Sequence, residues 1–342
     1  MINGQNTPFL TKVVFFQRKP KPFHKSIESI FHEVRENAPA RFITIPYVFK
    51  CYSSGVLNRI RILFEAWDKQ ADINHITGDI HFAALLLSKR RTILTIHDCG
   101  VLKYTKDFNK CIIKYLWFIF PAKRVSFITV VSDFTKVELL KIVAFPEDRI
   151  RVIPVSISNK FIANYRTFNN ICPVILQVGT AINKNLLRLI QATIGLNCHI
   201  HFIGIIPPDV GLALNMGKFS WSNSIDLTEE ELIEQYKQSD IIAFVSEYEG
   251  FGMPILEAQA TGRPVITSNS SSMPYVAGDA ACFVDPFDIL DIRRGLLRII
   301  NDDFYRNEIV QKGFQNVLRF NVKDISAKYY QLYDELLASN NV

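Results

Sequence analysis

The sequence predicts an α/β protein built of two doubly wound domains with a cleft between them. In the first half of the chain, short runs of β-branched residues alternate with helical patterns. A polar, Asn-rich stretch follows at 156–173, and the same alternation then starts again. Alternating strands and helices are typical of a parallel sheet with helices on both faces. A chain of 342 residues is also too long for one ordinary domain, so we predict two Rossmann-like domains.

The first predicted domain comprises residues 1–157. Its run Thr92–Ile96 is almost continuously apolar, as expected for a strand that is buried on both faces. Ser132 precedes a helical pattern and has the side chain of a helix N-cap. The other predicted strands are Val13–Gln17, Phe42–Ile45, Ile73–Thr77, Phe127–Val131 and Arg149–Val155. The other predicted helices are Ser26–Asn37, Asn58–Asp68 and Ile80–Lys89.

The second predicted domain, residues 158–323, repeats this order. Ligands of such sheets bind at the carboxyl ends of the strands, so residues that directly follow a strand are the first candidates for a site. The predicted strands are Val174–Val178, Ile200–Ile203, Ile241–Val245 and Val265–Thr267. The predicted helices are 184–193, Glu229–Gln238, Ile255–Ala260 and Ile289–Ile300.

Composition excludes several classes of protein. Apolar residues make up 48% of the chain and charged residues 21%, which argues against disorder. The net charge of +6 suits an anionic ligand or membrane surface, but no basic, aromatic-rich run indicates nucleic-acid binding. The six cysteines are scattered and the first residues lack the apolar run of a signal peptide, so we expect a cytoplasmic protein. Neither a dinucleotide fingerprint nor a phosphate-binding P-loop is present.

The segment Asp240–Thr267, DIIAFVSEYEGFGMPILEAQATGRPVIT, carries the clearest chemistry. A buried strand ends in a loop with glycines at 250 and 252, and Pro254 suits the start of the helix that follows. Gly262 is placed to end that helix as a left-handed cap. Backbone N–H groups at such a helix start form an anion site.

Two carboxylates bracket this predicted anion site. Glu249 lies on the loop, and we place Glu257 in the first turn of the helix. Carboxylates do not bind phosphate, but they accept pairs of hydrogen bonds from vicinal hydroxyls of a sugar or a ribose. An anion site flanked by two such groups suits a nucleotide diphosphate sugar. The alternative for Glu257 alone is a simple dipole partner at a helix start.

The string E-G-F-G-M-P-I-L-E resembles the E-x7-E signature of retaining glycosyltransferases of family 4, which have the GT-B fold. The resemblance covers nearly the whole chain, strongly in the second domain and loosely before residue 70. It implies that Glu249 holds the transferred hexose and that Glu257 holds the ribose. It further implies that the sugar and diphosphate lie against Gly250, Phe251, Gly252, Met253 and Pro254. The nucleobase would then lie near 203–226, a stretch without a clear period.

A second segment, VILQVGTAINKNLL at Val174–Leu187, supports the resemblance. The family carries a similar Gly-Thr turn, here Gly179 and Thr180, followed by a basic pair and an Asn, here Asn185. Lys184 matches the lysine that neutralises the departing diphosphate. Asn183 departs from the pattern, because an Arg is common there. Either another cation such as Arg18 or Lys19 compensates, or the leaving group is stabilised less; the alternative for Lys184 is a solvated lysine.

His97 and Asp98 directly follow the predicted buried strand Thr92–Ile96 and so face the predicted cleft. The family has a similar His-Asp pair, with the His beside the transferred sugar. The resemblance therefore implies that His97 orients donor or acceptor and that Asp98 lies on the acceptor side. The alternatives are a structural histidine and an aspartate that caps the following turn.

Three further regions bear on partners. The basic stretch Arg18–Glu28 replaces a Gly-Gly loop of many relatives and suits an anionic acceptor or lipid headgroups, or is a solvated loop. The apolar stretch Ile112–Ala122 is too short to span a bilayer, which leaves a membrane-surface helix or a helix packed on the sheet. By resemblance, the C-terminal helix at 324–342 packs back on the first domain. We expect peripheral contact with the inner membrane surface.

The resemblance implies retention of the anomeric configuration by front-face displacement. No D-x-D motif follows a strand, so we expect a metal-independent hexosyltransferase without a cofactor. Its expected donor is a UDP-, GDP- or ADP-sugar, and its acceptor a glycan or lipid-linked sugar in bacterial surface polysaccharide synthesis. The alternatives are a non-catalytic sugar-nucleotide-binding subunit, an epimerase of the same fold and a glycoside phosphorylase.

Overall fold

Two compact units make up the chain, one of residues 1–154 with 322–342 and one of residues 155–321. The computed structural model describes residues 10–20, 26–105, 107–217 and 219–340. Each unit holds a six-stranded sheet whose neighbouring strands all pair in parallel. The predicted fold class, two doubly wound α/β domains, is confirmed.

Unit 1 has its buried strands at the centre of the sheet. Its strand order is β2-β1-β3-β4-β5-β6. Every residue of the central strand at Thr92–Ile96 is buried, as its continuous apolar pattern predicts. The six strands are β1 Thr11–Gln17, β2 Phe42–Val48, β3 Ile73–Ile76, β4 Thr92–Ile96, β5 Phe127–Val130 and β6 Ile150–Val152.

The predicted helices before residue 70 and the one after Ser132 are present. The helices between them were not predicted. Ser132 caps the helix that follows it, since its hydroxyl accepts a hydrogen bond from the N–H of Thr135. The helices α3, α4 and α5 and the π turn at Lys114–Ile119 were not predicted as separate elements. The helices are α1 Ser26–Glu36, α2 Val56–Asp68, α3 Gly100–Tyr104, α4 Asp107–Ile113, α5 Phe120–Lys123 and α6 Asp133–Leu140.

The predicted α-helix at Ile80–Lys89 is wrong in type. Two short 3₁₀ turns replace it, at His81–Leu86 and at Lys89–Arg91. Four consecutive side chains, 81–84, are buried in the first turn. An α-helix with one buried face does not bury four residues in succession, so the core selects an irregular segment here.

The C-terminal helix, Val322–Asn340, completes unit 1 and begins two residues before its predicted start. The Tyr333 hydroxyl lies 2.7 Å from Nδ1 of the buried His75. The Tyr330 hydroxyl donates to the carbonyl oxygen of Val34 at 3.0 Å. The last helix therefore belongs to the hydrogen-bonded core of the first unit.

Unit 2 has the strand order β12-β11-β10-β7-β8-β9. The unpredicted stretch 203–226 contains a helix and the edge strand. The strands are β7 Val174–Val178, β8 His199–Ile203, β9 Ser220–Ser224, β10 Ile241–Phe244, β11 Val265–Ser268 and β12 Cys282–Val284. The helices are α7 Leu186–Thr193, α8 Pro208–Met216, α9 Glu229–Gln238, α10 Met253–Thr261, α11 Met273–Ala277, α12 Ile289–Asn301 and α13 Asp303–Asn316. The C-terminal helix at Val322–Asn340 is α14.

The polar stretch that was predicted as a linker belongs to unit 2. It contains neither helix nor strand, but Ile157 and Phe161 are buried, and the N–H of Ile157 donates to the carbonyl oxygen of Phe320 at 2.9 Å. The units therefore divide after residue 154, three residues before the predicted boundary.

Two expectations fall on parts of the chain outside the described residues. These are the N-terminal residues 1–9, on which the expectation of no signal peptide rests, and residues 21–25 of the basic stretch. Within the described ranges, every helix is too short or too polar to cross a membrane.

Candidate active site

A glycine turn at the end of β7 leaves space for the side chain of Lys184 to reach Glu249. Gly179 has a φ of +83°, and its N–H donates to the carbonyl oxygen of Ile203 at 2.8 Å. A Cβ at this position would lie 3.0 Å from Cε of Lys184. Gly179 thus provides both the left-handed turn and the space over which the lysine side chain passes.

Lys184 and Glu249 form an ion pair, with Nζ 2.8 Å from Oε1. Both side chains are largely but not fully buried. Asn183 donates to the same oxygen at 2.9 Å and to the carbonyl oxygen of Tyr248 at 3.0 Å. The lysine ammonium also lies 4.5 Å from the centre of the Phe244 ring. The residue that departs from the family pattern therefore binds Glu249 as a neutral donor.

The glycine loop leads into α10 as the sequence predicts. Gly252 is the N-cap with a φ of +119° and forms no side-chain cap, so glycine is required by the backbone and the helix start remains uncapped. The Ser272 hydroxyl lies 3.0 Å from the carbonyl oxygen of Glu249 and 2.6 Å from that of Phe251. Met253 and Pro254 are the first two residues of the helix, and Gly262 is its left-handed cap.

Glu257 lies in the second turn of α10, not in the first as predicted. It is the fifth residue of a helix that begins at Met253, because Gly252 is the N-cap. At this position the carboxyl points into the protein instead of lying at the helix start. It is almost fully buried, and its Oε2 accepts a hydrogen bond of 2.5 Å from the Tyr236 hydroxyl on α9.

Burial raises the pKa of the Glu257 carboxyl to about 7. The hydrogen bond from Tyr236 and the positive charge of Lys184 oppose this rise, while the charge of Glu229 adds to it. Lys184 therefore interacts with both carboxylates, through its ion pair with Glu249 at 2.8 Å and through its charge with Glu257. Because of its raised pKa, the Glu257 carboxyl changes its charge close to neutral pH.

Two further predicted residues of unit 2, Asn185 and Thr180, hold the segment around Lys184 in place. Asn185 has a φ of +59°, and its amide donates to the carbonyl oxygens of Val245 and Pro286 at 3.0 and 2.6 Å. Its side-chain oxygen accepts from Arg188 at 2.8 Å. The Thr180 hydroxyl donates to the carbonyl oxygen of Ile205 at 2.6 Å. The Asn185 side chain thus fixes the segment that carries Lys184.

In unit 1, His97 and Asp98 follow β4 as predicted. His97 Nε2 lies 2.7 Å from the carbonyl oxygen of Thr77, so Nε2 is the donor of this hydrogen bond. The Asp98 carboxylate accepts from the N–H of Gly100 at 2.7 Å, which is the turn-capping contact considered as the alternative. Both residues line a cavity of about 320 Å³.

This cavity has cations stacked on aromatic rings. The Arg59 guanidinium lies 4.8 Å from the centre of the Trp117 ring, and Lys19 Nζ lies 4.8 Å from that of Tyr52. In the described part of the chain, neither cation forms an ion pair with a carboxylate. Arg18 also lines the cavity but is paired with Glu28 and Asp79. The cavity therefore suits a ligand with an anionic group and a sugar ring.

Two family models match the chain and together span most of it. The model described as Glycosyltransferase Family 4 matches residues 12–159, and the model described as Glycosyl transferases group 1 matches residues 172–316. The chain belongs to glycosyltransferase family 4.

A named relative agrees with this family 4 assignment, and solved structures share the fold. O-antigen chain mannosyltransferase B of Escherichia coli is 26% identical over 268 residues, which cover 71% of this chain and 70% of the relative. Sucrose-phosphate synthase from Thermosynechococcus elongatus has a TM-score of 0.80 at 16% identity, over 96% of this chain and 100% of the other. HepE from Anabaena, solved with UDP and glucose, has a TM-score of 0.76 at 12% identity, over 95% and 100%. These structures show the GT-B fold.

Several residues around this candidate site were not predicted from the sequence. Tyr236 on α9 binds Glu257 on α10, and Ser272 at the start of α11 binds the glycine loop. No local sequence pattern indicates either residue. Arg188 is a further guanidinium near the turn, paired with Glu247 at 2.6 Å. Arg188 follows Lys184 by one helical turn in the sequence, so the sequence alone could have indicated it.

Proposed function

We propose that the protein is a retaining, metal-independent hexosyltransferase that binds a nucleotide diphosphate sugar in unit 2 and a sugar acceptor in unit 1. The observation that carries the proposal is the ion pair of Lys184 with Glu249, on the loop that leads to the uncapped N-terminus of α10, together with the electrostatic interaction of Lys184 with Glu257 in the second turn of that helix. One cation, one helix start and two carboxylates provide separate partners for the diphosphate, the hexose and the ribose.

The diphosphate is proposed to lie against Lys184 and the N–H groups around Gly252 and Met253. The lysine charge is balanced by Glu249 at 2.8 Å. A diphosphate that enters becomes a second partner for the same ammonium. Lys184 then stabilises the charge that develops on the leaving group, which is the largest contribution expected of the protein in such a transfer.

The two carboxylates are proposed to bind the two sugars of the donor. Lys184 and Asn183 both contact Oε1 of Glu249, and within the described residues no donor reaches its Oε2. That oxygen is free to accept from hydroxyls of the hexose. Glu257 holds the Tyr236 hydroxyl with one oxygen and is proposed to accept from the ribose with the other.

The proposed reaction is a displacement on one face of the sugar. The bond from the anomeric carbon to the diphosphate oxygen breaks, and a bond from the same carbon to the acceptor oxygen forms on the same face. The departing diphosphate takes the proton of the incoming hydroxyl, so no carboxylate nucleophile is needed. The protein contributes position and electrostatic stabilisation, with no cofactor and no metal ion.

The acceptor is proposed to occupy the cavity beside His97 and Asp98. Trp117 and Tyr52 offer aromatic surfaces to a sugar, and Arg59 and Lys19 offer charge to an acidic or phosphorylated group. The relative named O-antigen chain mannosyltransferase B supports a growing bacterial surface glycan as acceptor and makes mannose the first donor sugar to test.

The test has two stages. Thermal unfolding is measured with UDP, GDP, ADP and their hexose conjugates, because a ligand that binds the folded state raises its apparent stability. The donor that binds is then incubated with glycan acceptors in the presence of EDTA, and the product is examined by NMR. We expect transfer with the anomeric configuration of the donor. Inversion, or complete loss of transfer with EDTA, contradicts the proposal.

The same experiment separates the alternative functions. Isomerisation of the donor without acceptor indicates an epimerase, and a requirement for inorganic phosphate indicates a phosphorylase. Binding of a sugar nucleotide without any turnover indicates a non-catalytic subunit. Asn183, which replaces a cation of the family pattern with a neutral amide, is the feature that favours this last alternative.

A further inference from the structure

The outward face of α2 in unit 1 is apolar, which is unusual for a surface helix. Five large apolar side chains on it are between 43% and 74% exposed, and their positions, two adjacent and the rest three or four residues apart, place them on one side. We call this surface the α2 face. It consists of Val56, Leu57, Ile60, Phe64 and Trp67.

The helix is anchored by its opposite side, so the α2 face is not needed for the core. Ile62 and Ala66 are fully buried in the core of unit 1. Glu65, between the two sides, accepts from the Tyr47 hydroxyl at 3.1 Å. A surface helix normally turns polar residues outward, and contiguous apolar patches of this kind mark interaction surfaces.

The charges around the α2 face are mostly positive. Between residues 50 and 69 the cations outnumber the carboxylates by four to two. Asp68 is paired with Lys69 at 2.8 Å, whereas Arg59 and Arg61 form no ion pair within the described residues. Two copies of such a surface would bring like charges together, which disfavours a dimer through this face.

We propose that the α2 face docks the protein on an anionic lipid bilayer. Trp and Phe side chains beside Arg and Lys are the composition of helices that lie in the membrane interface. Each nearby cation adds attraction to anionic headgroups. The bilayer contact expected from the sequence is thereby assigned to α2 and not to Ile112–Ala122, where Phe118, Pro121 and Ala122 are buried and the most exposed apolar side chains reach only 38–44%, against 43–74% on α2.

The position of α2 also connects this surface with the acceptor cavity. Arg59 lies on the same helix and lines the cavity, where it stacks on Trp117. A sugar carried on a membrane lipid would thus be presented next to the helix that touches the bilayer. This connection rests on the proposed function, but docking on the bilayer does not.

The test measures binding of the full chain to vesicles by co-sedimentation, without any turnover assay. The vesicles contain phosphatidylglycerol with phosphatidylethanolamine, and neutral phosphatidylcholine vesicles are the comparison. The double variant Phe64→Ser/Trp67→Ser is expected to lower the partition coefficient at least about tenfold, since two large side chains no longer enter the interface. Arg61→Glu is expected to weaken binding to the anionic vesicles only.

A matched control uses comparably exposed apolar residues of unit 2. Phe304→Ser/Leu318→Ser removes similar side chains and is expected to leave vesicle binding unchanged. All of these side chains are exposed, so each variant should unfold at the temperature of the wild type. Brominated lipids should quench the fluorescence of the wild type, and replacing Trp67 with Phe should remove most of that quenching.

Three results would overturn the inference. They are an absence of binding to anionic vesicles, an equal loss of binding in the control variant, and a dimer that Phe64→Ser/Trp67→Ser dissociates. Vesicle binding by a protein that transfers no sugar would leave the inference standing while the proposed function fails. Transfer to a water-soluble acceptor by a protein that ignores vesicles would show the reverse.

Discussion

At the scale of single residues, the ion pair between Lys184 and Glu249 carries most of the chemistry. The lysine is held at 2.8 Å from the carboxylate and 4.5 Å from the Phe244 ring centre, so the protein itself fixes its position. A charge that is already in position costs no reorganisation when the leaving group departs. Lys184 is thus suited to act on the transition state more than on substrate binding.

Replacing Lys184 with Ala should lower the turnover number by roughly 100-fold or more, because the charge on the departing diphosphate loses its fixed cation. The measurement is steady-state transfer with saturating donor. Lys312→Ala is the matched control, since Lys312 also forms ion pairs, with Asp279 and Glu308, on the surface of unit 2. Near wild-type turnover of the Lys184 variant would contradict the assigned role.

A second residue-scale prediction concerns the pH dependence of donor binding. Burial raises the pKa of the Glu257 carboxyl to about 7, so below that pH the group is mostly protonated and accepts fewer hydrogen bonds. Ribose binding favours the ionised form. The affinity for the donor should therefore rise by about tenfold from pH 6 to pH 8. Calorimetry with the intact donor is preferred, since a free diphosphate itself titrates near this range.

Two variants test whether Glu257 is the group that titrates. Tyr236→Phe removes a hydrogen bond that lowers the carboxyl pKa, so the midpoint of the profile should move to higher pH. Glu257→Gln should bind donor weakly and without this pH dependence. An unchanged profile in both variants would show that another group titrates.

The residues predicted from the sequence are those that share a short segment. Gly250, Gly252 and Glu257 lie in one string, where a strand, a loop and a helix start follow each other and specify the geometry locally. Tyr236 and Ser272 act on the same site from other helices, at sequence distances of 21 to 23 residues. Their roles depend on packing, which no single stretch of sequence encodes.

At the scale of elements, α14 is attached to unit 1 through a buried polar chain. Tyr333 contacts His75 Nδ1 at 2.7 Å, His75 Nε2 lies 2.7 Å from the Thr95 hydroxyl, and that hydroxyl lies 2.6 Å from the one of Thr129. All four side chains are buried. Since buried polar groups are costly when unpaired, this chain specifies where the last helix docks.

Tyr333→Phe should lower the free energy of unfolding by about 1–3 kcal/mol, because the imidazole of His75 loses a buried partner. Urea unfolding followed by circular dichroism measures the loss. Tyr165→Phe is the matched control, since that side chain is highly exposed and should change stability little. Equal effects of the two substitutions would show that the buried contact contributes nothing specific.

The same buried row of hydrogen bonds makes the fold sensitive to acid. Burial, together with the charge of His97, lowers the pKa of His75 to about 3, while the unfolded chain protonates His near 6.5. Between these values the unfolded state binds more protons, so this contribution to stability is complete above about pH 6.5 and is lost as the pH falls toward 3. Urea midpoints at pH 7 and pH 5 should therefore differ, and less so in a His75→Phe variant.

Strands were predicted where buried residues form an apolar run in the sequence, and they were missed where no such run exists. The strands β4, β7 and β10 are apolar and largely buried, and their patterns predicted them. The edge strand β9, with the sequence SWSNS, has no buried residue, and its polar sequence is typical of a loop. Its backbone pairs in full register with β8, a contact that a local pattern does not show.

At the scale of the whole molecule, the chain enters unit 2 once, at residue 155, and returns to unit 1 at residue 322. Unit 2 is therefore a continuous segment, whereas unit 1 is completed only by the last helix. Every residue proposed to bind the donor, including Lys184, Glu249 and Glu257, lies in the continuous unit. The donor site should therefore fold without the residues of unit 1.

A fragment of residues 155–321 should fold alone and bind the nucleotide that stabilises the full chain, as measured by thermal shift and calorimetry. Residues 1–154 alone should not fold cooperatively, because His75 and the Val34 carbonyl lose their tyrosine partners on α14. Adding a peptide of residues 322–342 to this fragment should restore part of its structure. If 155–321 folds but fails to bind any nucleotide, the donor site requires more than unit 2, and the assignment of the donor to that unit is wrong.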